Sequence, residues 1–380
     1  MSELPHQDHL EALNHPGNAQ QKLEVIYTHI RNRYPGIERM AVAVYDALND
    51  KLKTYLSCGS KHPALEHYQA PLQKSLSLDQ LRMSRSTRII PDLQSTFGQT
   101  GNLAPHTQAL IELGFQSSYT FPMIYNERFL GFVFFNSRQS SCFLESVLTE
   151  LDMMAHMVTL VIFNERANIN TLVATVKSAI QLTHSRDPET GSHLERMARY
   201  ARIIATELAH TQPITDDFIE HIYLFAPLHD LGKIKVPDKI LLKPGHLNPD
   251  ELNEMQRHPA YGQQLIDVLI ENHGLSGVSH IEMLRNIALY HHEQVDGKGY
   301  PAGLKGDAIP LESRIVTVAD VFDALTSTRP YKRAWSNEEA FREMRQQAGI
   351  KWDSQCVRAM IRCESQLIEV QNRFRENEYG

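Results

Sequence analysis

The feature that most constrains the fold of this 380-residue chain is an apolar stripe across its middle. Between residues 144 and 179 apolar side chains recur at alternating spacings of four and three, and neither Gly nor Pro interrupts the stretch. This period predicts one long, coiled-coil-like helix that separates two domains. One polar residue, Glu165, occupies a position of the stripe. The stripe comprises Leu144, Leu148, Leu151, Ala155, Val158, Ile162, Ile169, Leu172, Val176 and Ala179.

Two interpretations of the stripe differ in what covers it. Because the stripe is longer than a small domain usually covers, we favour the seam of a parallel homodimer. The alternative is a single helix whose apolar side packs against its own domains. The two interpretations predict different burial of the stripe within one chain.

Composition limits the class of protein. The chain is 42% hydrophobic and 22% charged, which is typical of globular domains, and its net charge of −7 argues against binding to a nucleic-acid polymer. No apolar run approaches the roughly 20 residues that span a bilayer, and the N-terminus shows no signal-peptide pattern. The four cysteines are too scattered for a disulfide scaffold. We therefore expect a cytoplasmic protein without membrane insertion.

The segment before the stripe predicts a small α+β domain. Residues 1–20 are polar and are expected to be flexible, and residues 21–142 alternate helical and strand-like patterns. The element order and the stretch F-P-M-I-Y-N-E-R-F-L-G-F-V-F-F from Phe121 resemble a GAF domain, which implies a sensory domain for an unknown small ligand. The predicted elements are the helices Gln21–Tyr34 and Thr107–Leu113 and the strands Met40–Tyr45, Lys51–Ser57, Ser118–Tyr125 and Arg128–Asn136.

The segment after the stripe carries clusters of histidine and acidic residues. Residues 143–182 form the predicted linker and dimerisation helix, and residues 183–380 show mostly helical patterns, so the last domain is expected to be all-α. Imidazole and carboxylate groups without thiolates favour iron, manganese or zinc. In the adjacent pair His229-Asp230, side chains about 100 degrees apart on a helix could serve two metals, with the carboxylate as a bridge.

The order of the motifs in this segment resembles the HD-GYP family. The motifs are H-D-L-G-K, K-I-L-L-K-P-G, H-P, H-H-E-x-x-D-G-x-G-Y-P and A-D-V-F-D-A-L-T-S-x-R-P-Y-K. Members of this family are HD phosphohydrolases that hydrolyse the bacterial second messenger cyclic di-GMP. The resemblance implies two or three divalent transition metal ions, iron first and manganese second. The implied ligands are Glu189, His193, His229, Asp230, His258, His291, His292 and Asp320.

The same resemblance implies which residues meet the substrate. Lys233 would contact the scissile phosphate and, with Asp230, form the catalytic pair, whereas Arg329 and Lys332 in R-P-Y-K would hold the phosphates. A glutamate at the position of Glu189 is typical of the trinuclear members of the family. It lies four residues before His193, on the same side of a helix. The alternative for Glu189 is an acidic side chain that interacts with a helix N-terminus.

The resemblance predicts a phosphodiesterase that converts cyclic di-GMP to pGpG, and further to GMP, under control of the GAF-like domain. Two alternatives remain open at this point. One is a receptor that binds the dinucleotide with little turnover, and the other is the same chemistry on a hybrid cyclic GMP-AMP.

Overall fold

The computed structural model describes residues 8–47, 50–98, 104–183, 191–273, 279–328 and 333–374. It divides the chain into two compact units, which we call the N-terminal unit (Met1–Asn168 with Gly277–Ser279) and the C-terminal unit (Ile169–Ser276 with His280–Gly380). The division falls inside the long helix and not at either end of the predicted linker, residues 143–182. Residues 1–7 of the segment that we expected to be flexible lie outside the described residues.

The N-terminal unit is built on a six-stranded antiparallel sheet with the strand order β3-β2-β1-β6-β5-β4. The predicted α+β fold is confirmed. The strands β3 and β4 were not predicted because three residues are too few to show an alternating pattern. The strands are β1 (Arg39–Asp46), β2 (Lys51–Gly59), β3 (Gln69–Pro71), β4 (Arg88–Ile90), β5 (Ser117–Tyr125) and β6 (Arg128–Ser137). The helices are α1 (Ala19–Arg33), α2 (Leu76–Ser84), α3 (Leu93–Phe97), α4 (Pro105–Glu112) and the long α5 (Glu145–Thr183).

One face of this sheet forms the main core of the unit. Because side chains alternate between the two faces of a strand, Met40, Val42 and Val44 of β1 point to the same side. They pack with buried side chains of β5, β6, α1 and α5 into one cluster. The helices α1 and α5 therefore lie on this face of the sheet, and the opposite face is free of both. A capping box between Asn18 and Gln21 fixes the start of α1.

The apolar stripe of α5 is buried within the chain. Leu151, Ala155, Val158 and Ile162 are fully buried in the core cluster of the N-terminal unit. Further along α5, three more members of the stripe are buried, namely Ile169, Leu172 and Val176. The chain itself thus covers these positions, as the alternative interpretation expected, and they are not available as a dimer seam. For Leu151, Ala155, Val158 and Ile162 the physical reason is that the sheet offers the helix an apolar face of its own.

The polar exception in the stripe has a partner inside the same unit. Glu165 is buried and accepts a hydrogen bond from the hydroxyl of Tyr55 on β2, with an oxygen–oxygen distance of 3.0 Å. A buried carboxylate requires such a donor. The break in the apolar pattern at residue 165 therefore corresponds to a specific contact with the sheet.

Part of α5, Glu145–Val176, is long and apolar enough to cross a membrane by length and composition alone. This differs from the expectation that no segment would reach that length. It is weak evidence for a membrane span, because a core helix of a soluble protein passes the same test. The burial of Val158 and Ile162 against the sheet is the packing expected of a core helix.

In the described residues of the C-terminal unit every regular element is a helix, apart from a single bridge between Ala348 and Trp352, so the predicted all-α class is confirmed. Its helices begin at polar caps, for example Thr215, Asn248 and Ser336. The helices are α6 (Gly191–Ala209), α7 (Asp216–Phe225), α8 (Asp238–Leu241), α9 (Pro249–Met255), α10 (His258–His273), α11 (Ile281–Tyr290), α12 (Leu311–Thr326), α13 (Asn337–Gln347), α14 (Ser354–Arg362) and α15 (Glu364–Arg373). Two consecutive 3-10 turns, Ala226–Leu228 and Leu231–Lys235, lie between α7 and α8.

Candidate metal centre

Histidine and aspartate side chains from five parts of the C-terminal unit converge on one site. His229 and Asp230 lie between the two 3-10 turns, and His258 is the first residue of α10. The remaining members come from α6, α12 and the end of α11. They form two groups, in each of which the potential ligand atoms lie within 4.8 Å of one another: Asp230, His258, His291 and His292 in one, and His193, His229 and Asp320 in the other.

Asp230 lies between these two groups. Its Oδ1 is 3.1 Å from Nε2 of His258 and 3.5 Å from Nε2 of His291. Its Oδ2 faces the other group and lies 3.2 Å from Nε2 of His229. In that second group Oδ1 of Asp320 is 3.9 Å from Nε2 of both His193 and His229. One carboxylate thus presents one oxygen to each group.

The backbone selects the tautomer of three of the histidines. Nδ1 of His229 donates to the carbonyl oxygen of Ala226 (3.0 Å), and Nδ1 of His258 donates to that of Met255 (2.8 Å). Nδ1 of His291 donates to the carbonyl oxygens of residues 287 and 288, at 3.0 and 3.1 Å. A carbonyl oxygen can only accept, so each Nδ1 carries a proton, and in the neutral imidazole Nε2 is the atom whose lone pair faces the site.

A carboxylate and an arginine select the tautomer of His193. Its Nδ1 lies 2.7 Å from Oδ2 of Asp323, which is buried on α12. Nε of Arg196 donates to the other oxygen of Asp323 at 2.6 Å. Burial raises the pKa of Asp323, but the hydrogen bonds from Arg196 and His193 outweigh this effect, so its pKa is below the usual value. Ionised Asp323 therefore orients His193, as carboxylates commonly do for metal-binding histidines.

Acceptor atoms predominate on the inner surface of the site, beside the ammonium group of Lys233. The Nδ1 protons of His193, His229, His258 and His291 are directed outward. Nε2 of His258 and Nε2 of His291 face each other at 3.3 Å. Oδ1 of Asp230 is buried and receives no hydrogen bond from the described residues. Lone pairs and a carboxylate at these distances repel one another unless a cation lies between them. The residues present therefore fit divalent metal ions, and imidazole with carboxylate suits iron, manganese or zinc.

The protonation states agree with this fit. Burial raises the pKa of Asp230, but the charge of Lys233 holds it well below the usual value, so the carboxyl is ionised. Burial lowers the pKa of His291 and of His292, so both imidazoles are neutral. Metal binding requires these forms, because only a neutral imidazole and an ionised carboxylate offer lone pairs.

A loop next to the site is held by a buried glutamate. The carboxylate of Glu293 accepts hydrogen bonds from the backbone N–H groups of residues 302, 303 and 304, at 2.7, 3.1 and 2.9 Å. Gly299 in this loop packs so tightly that an added Cβ would lie 2.3 Å from the backbone nitrogen of Gln294. The ring of Tyr300 stacks on His292 with centroids 4.8 Å apart. The loop with the sequence G-Y-P therefore covers one side of the candidate site.

The remaining predicted site residues differ in what the structure describes. Nζ of Lys233 is 2.8 Å from Oδ2 of Asp230, which gives the site a positive charge. Glu189, Arg329 and Lys332 lie outside the described residues.

Sequence reasoning did not single out Asp323, Arg196 or Glu293. A signal existed for Asp323, because it lies three residues after Asp320 and hence on the same side of α12. A signal also existed for Glu293, which directly follows the two histidines. Arg196 shows no pattern of its own, because its partner is 127 residues away.

Comparisons with known proteins agree with the site. A family model described as HD domain matches residues 177–356. The cyclic di-GMP phosphodiesterase response regulator RpfG of Xanthomonas campestris is 46% identical over 191 residues, which cover 50% of this chain and 47% of that protein. The 3'3'-cGAMP-specific phosphodiesterase 2 of Vibrio cholerae is 34% identical over 210 residues, which cover 53% of this chain and 38% of that protein. The chain thus spans about half of the length of these relatives or less.

The N-terminal unit is similar to GAF domains in solved structures. The GAF domain/HD domain protein of Geobacter sulfurreducens matches 39% of this chain and 95% of that chain, with a TM-score of 0.33 and 16% identity. In the C-terminal half, the family match, the curated relatives and the convergent histidines and aspartates agree with the resemblance seen in the sequence. Residues 177–356 match the family model of the HD domain, and this chain is similar over 191 residues to a protein named a cyclic di-GMP phosphodiesterase.

Proposed function

We propose that this chain is a metal-dependent phosphodiesterase that hydrolyses cyclic di-GMP to pGpG. One observation carries the proposal: two groups of imidazole and carboxylate acceptors share Asp230, with the Nδ1 protons of four histidines directed away from the site. The proposed ligands are the seven clustered residues His193, His229, Asp230, His258, His291, His292 and Asp320, together with Glu189.

The metal ions, when bound, would lower the pKa of a water molecule and neutralise charge on the phosphoryl oxygens. The side chains of the protein would position the ions and bind the phosphates. Asp230 would hold two ions at a fixed separation, because its oxygens face different groups. The ammonium group of Lys233 lies 2.8 Å from that carboxylate and would offset negative charge on the scissile phosphate. Arg329 and Lys332 are proposed to hold the phosphates of the dinucleotide.

The choice of substrate is supported by the relatives. The protein from Xanthomonas campestris that is 46% identical over its matched part is named a cyclic di-GMP phosphodiesterase. A second candidate substrate is 3'3'-cGAMP, because a relative from Vibrio cholerae that is 34% identical is named as specific for it. The two dinucleotides have the same phosphates, so residues that recognise phosphate do not distinguish them.

The test combines metal analysis with product chromatography. The full chain is purified without oxygen, loaded with Fe(II) or Mn(II), and incubated with cyclic di-GMP and 3'3'-cGAMP in parallel. We expect about two to three ions per chain and faster turnover of cyclic di-GMP. Binding without turnover would favour the receptor alternative, and faster turnover of 3'3'-cGAMP would favour the second candidate. A metal-loaded protein that binds neither dinucleotide would refute the proposal.

Two variants separate metal binding from phosphate binding. Asp230→Ala should lose both metal and turnover, whereas Lys233→Ala should keep the metal and lose turnover, because its ammonium would meet phosphate. The matched control is Asp250→Ala, since Asp250 is an exposed aspartate on α9 outside the site. An Asp230→Ala protein that retains wild-type metal content and turnover would contradict the assignment.

Glu189 decides the proposed number of ions. If it holds a third ion, Glu189→Ala should lower the content from about three ions to two and should cause pGpG to accumulate. Unchanged metal content and an unchanged product ratio would assign Glu189 to the alternative, a charge near a helix start.

We further propose that the protein is a cytoplasmic homodimer, that the N-terminal unit regulates the enzyme, and that iron is the preferred metal.

A further inference from the structure

The face of the N-terminal sheet that lies opposite α1 and α5 borders a cavity of about 300 Å³. This is within the range of small-molecule pockets. Its apolar lining includes Ile90, Leu93, Leu110 and Phe134. Its polar lining includes the side chains of Arg39, Arg88 and His106.

Strand register places the two arginines on the same face. Arg39 on β1 pairs with Asn136 on β6, and Ala41, two residues along β1, pairs with Phe134. In the row of Ala41, the pairing continues from β6 through Thr120 on β5 to Arg88 on β4. Since residues that pair in this way point to the same side of the sheet, the guanidinium groups of Arg39 and Arg88 share the cavity face.

Hydrogen bonds direct both guanidinium groups toward the middle of the sheet. Nη1 of Arg39 donates to Oδ1 of Asn136 on the neighbouring strand at 2.8 Å. From the other side, Nη2 of Arg88 donates to Oγ1 of Thr120 at 3.3 Å, and its Nη1 donates to Oγ of Ser77 at 2.7 Å. Both guanidinium groups therefore have fixed positions on the face that lines the cavity.

Neither guanidinium group forms a salt bridge with a carboxylate among the residues that the structure describes. Arg39 is 2% exposed, and its hydrogen bond is to a neutral amide. Nε of Arg88 is buried and has no hydrogen-bond partner in the same described part of the chain. Burial lowers the pKa of Arg39 to about 10, although the charge of the exposed Glu66 partly opposes this, and burial also lowers the pKa of Arg88. These changes reflect the cost of desolvating a cation that forms no salt bridge.

A third polar group completes the lining. Nδ1 of His106 is buried and has no hydrogen-bond partner in the described part of the chain. Burial and the nearby charge of Arg39 lower the pKa of His106 to about 4, so the ring is neutral near pH 7. A neutral imidazole can donate or accept one hydrogen bond here, which suits an oxygen atom of a ligand.

We propose that this cavity binds a small organic dianion, a dicarboxylate or a phosphate monoester, whose apolar part lies against Phe134 and Leu110. Each guanidinium would form charge-assisted hydrogen bonds with an anionic group and so compensate for its burial. Two cations on one cavity face match two negative charges on the ligand. The inference concerns the N-terminal unit and does not depend on the proposed phosphodiesterase activity.

The test is isothermal titration calorimetry on the full chain with four probes. Succinate and phenyl phosphate are the two dianion arms, and succinamide and phenol are their neutral counterparts. We expect saturable binding of at least one dianion with one site per chain, and no binding of its neutral counterpart. Binding of succinate alone would indicate a dicarboxylate ligand, and binding of phenyl phosphate alone would indicate a phosphate monoester. Absence of binding by both dianions at 10 mM, or equal binding of the neutral counterpart, would overturn the proposal.

Variants locate the binding site, which matters because the metal centre also has affinity for anions. Arg88→Gln and Arg39→Gln should each weaken binding of the dianion by at least about tenfold. The matched control, Arg85→Gln, removes an exposed guanidinium that pairs with Glu127 and should leave binding unchanged. If Arg39→Gln fails to fold, the affinity of Arg88→Gln for the dianion decides whether the cavity is the binding site. Wild-type affinity in Arg88→Gln, or an equal loss in the control, would overturn the assignment.

Discussion

A single added methyl group at Gly232 should separate two elements that carry the metal ligands. Gly232 lies in the 3-10 turn that follows Asp230, and it packs against the start of α10, where His258 lies. A Cβ at residue 232 would lie 1.8 Å from the carbonyl oxygen of His258 and 2.4 Å from the backbone nitrogen of Gly262. Both neighbours are backbone atoms, so no flexible side chain can move aside.

The required displacement follows from these distances. Real Cβ atoms essentially never approach another atom within 3.0 Å, so the contact of 1.8 Å must open by at least 1.2 Å. Asp230 and His258 are now 3.1 Å apart, whereas ligand distances in metal sites vary by only about 0.2 Å. A misplacement of about 1 Å can lower activity about 100-fold. We therefore expect Gly232→Ala to lose most of its metal and at least about 100-fold in kcat/KM, with an overpacking cost of about 1–3 kcal/mol.

The same contact provides a matched control. A Cβ added at Gly262, on the facing side, would lie 3.4 Å from Cβ of Ala288 and 3.4 Å from the backbone nitrogen of Gly232, which are ordinary contact distances. Gly262→Ala should keep its metal, and it should be more stable by up to about 1 kcal/mol, because alanine favours a helix interior. The assays are metal analysis and steady-state kinetics of both variants. Normal metal content and activity in Gly232→Ala would refute the reasoning.

Three further predictions concern the groups around the site. Asp323→Asn should lower the metal affinity about 10–100-fold and destabilise the C-terminal unit by about 3–5 kcal/mol, because it removes the charge of a buried carboxylate that pairs with the buried Arg196. Metal titration and urea unfolding measure the two effects, and wild-type values for both would contradict the role. Glu293→Gln should keep the metal but raise KM, because one amide oxygen cannot replace a carboxylate that accepts three backbone N–H groups and so positions the loop beside the site. Unchanged kinetics would exclude a role of Glu293 in positioning this loop. Removal of metal with a chelator should lower the unfolding temperature of the C-terminal unit, because repulsion among the acceptor atoms is then uncompensated. The fluorescence of Trp335 and Trp352, both in that unit, reports the unfolding. An unchanged unfolding temperature would argue against a metal at the site.

The sequence predicts elements well where pattern and length are both sufficient. The strand predicted at Met40–Tyr45 is observed at Arg39–Asp46, because its apolar run is long enough to be recognised; its first six residues are all buried. The short strand Arg88–Ile90 has only three residues and no such run, and so the cavity face that it completes could not be anticipated. The stripe of α5 shows what a clear sequence pattern still leaves open. Its period indicates that Val158 and Ile162 are buried, but a period does not reveal whether a sheet or a second chain covers them.

Sequence also reveals the types of ligand at the site more readily than their orientation. Motif order brings together the histidines and aspartates, but the atom that each histidine presents depends on a hydrogen bond to a second group. The bond from His193 to Asp323 joins residues 130 positions apart, so no local pattern reveals it. Arg196, which holds the same carboxylate, is equally distant in sequence.

For three histidines, however, the orientation follows from where helical turns end. The last carbonyl groups of a helix lack partners within the helix. His229, His258 and His291 each follow the last turn of a helical segment, and their Nδ1 atoms donate to carbonyl oxygens three or four residues earlier. The same bond satisfies the helix end and directs Nε2 into the site. A histidine just beyond a helix end is thus locally prepared to present Nε2, so element boundaries alone would have predicted the metal-facing atom at three of the candidate ligands.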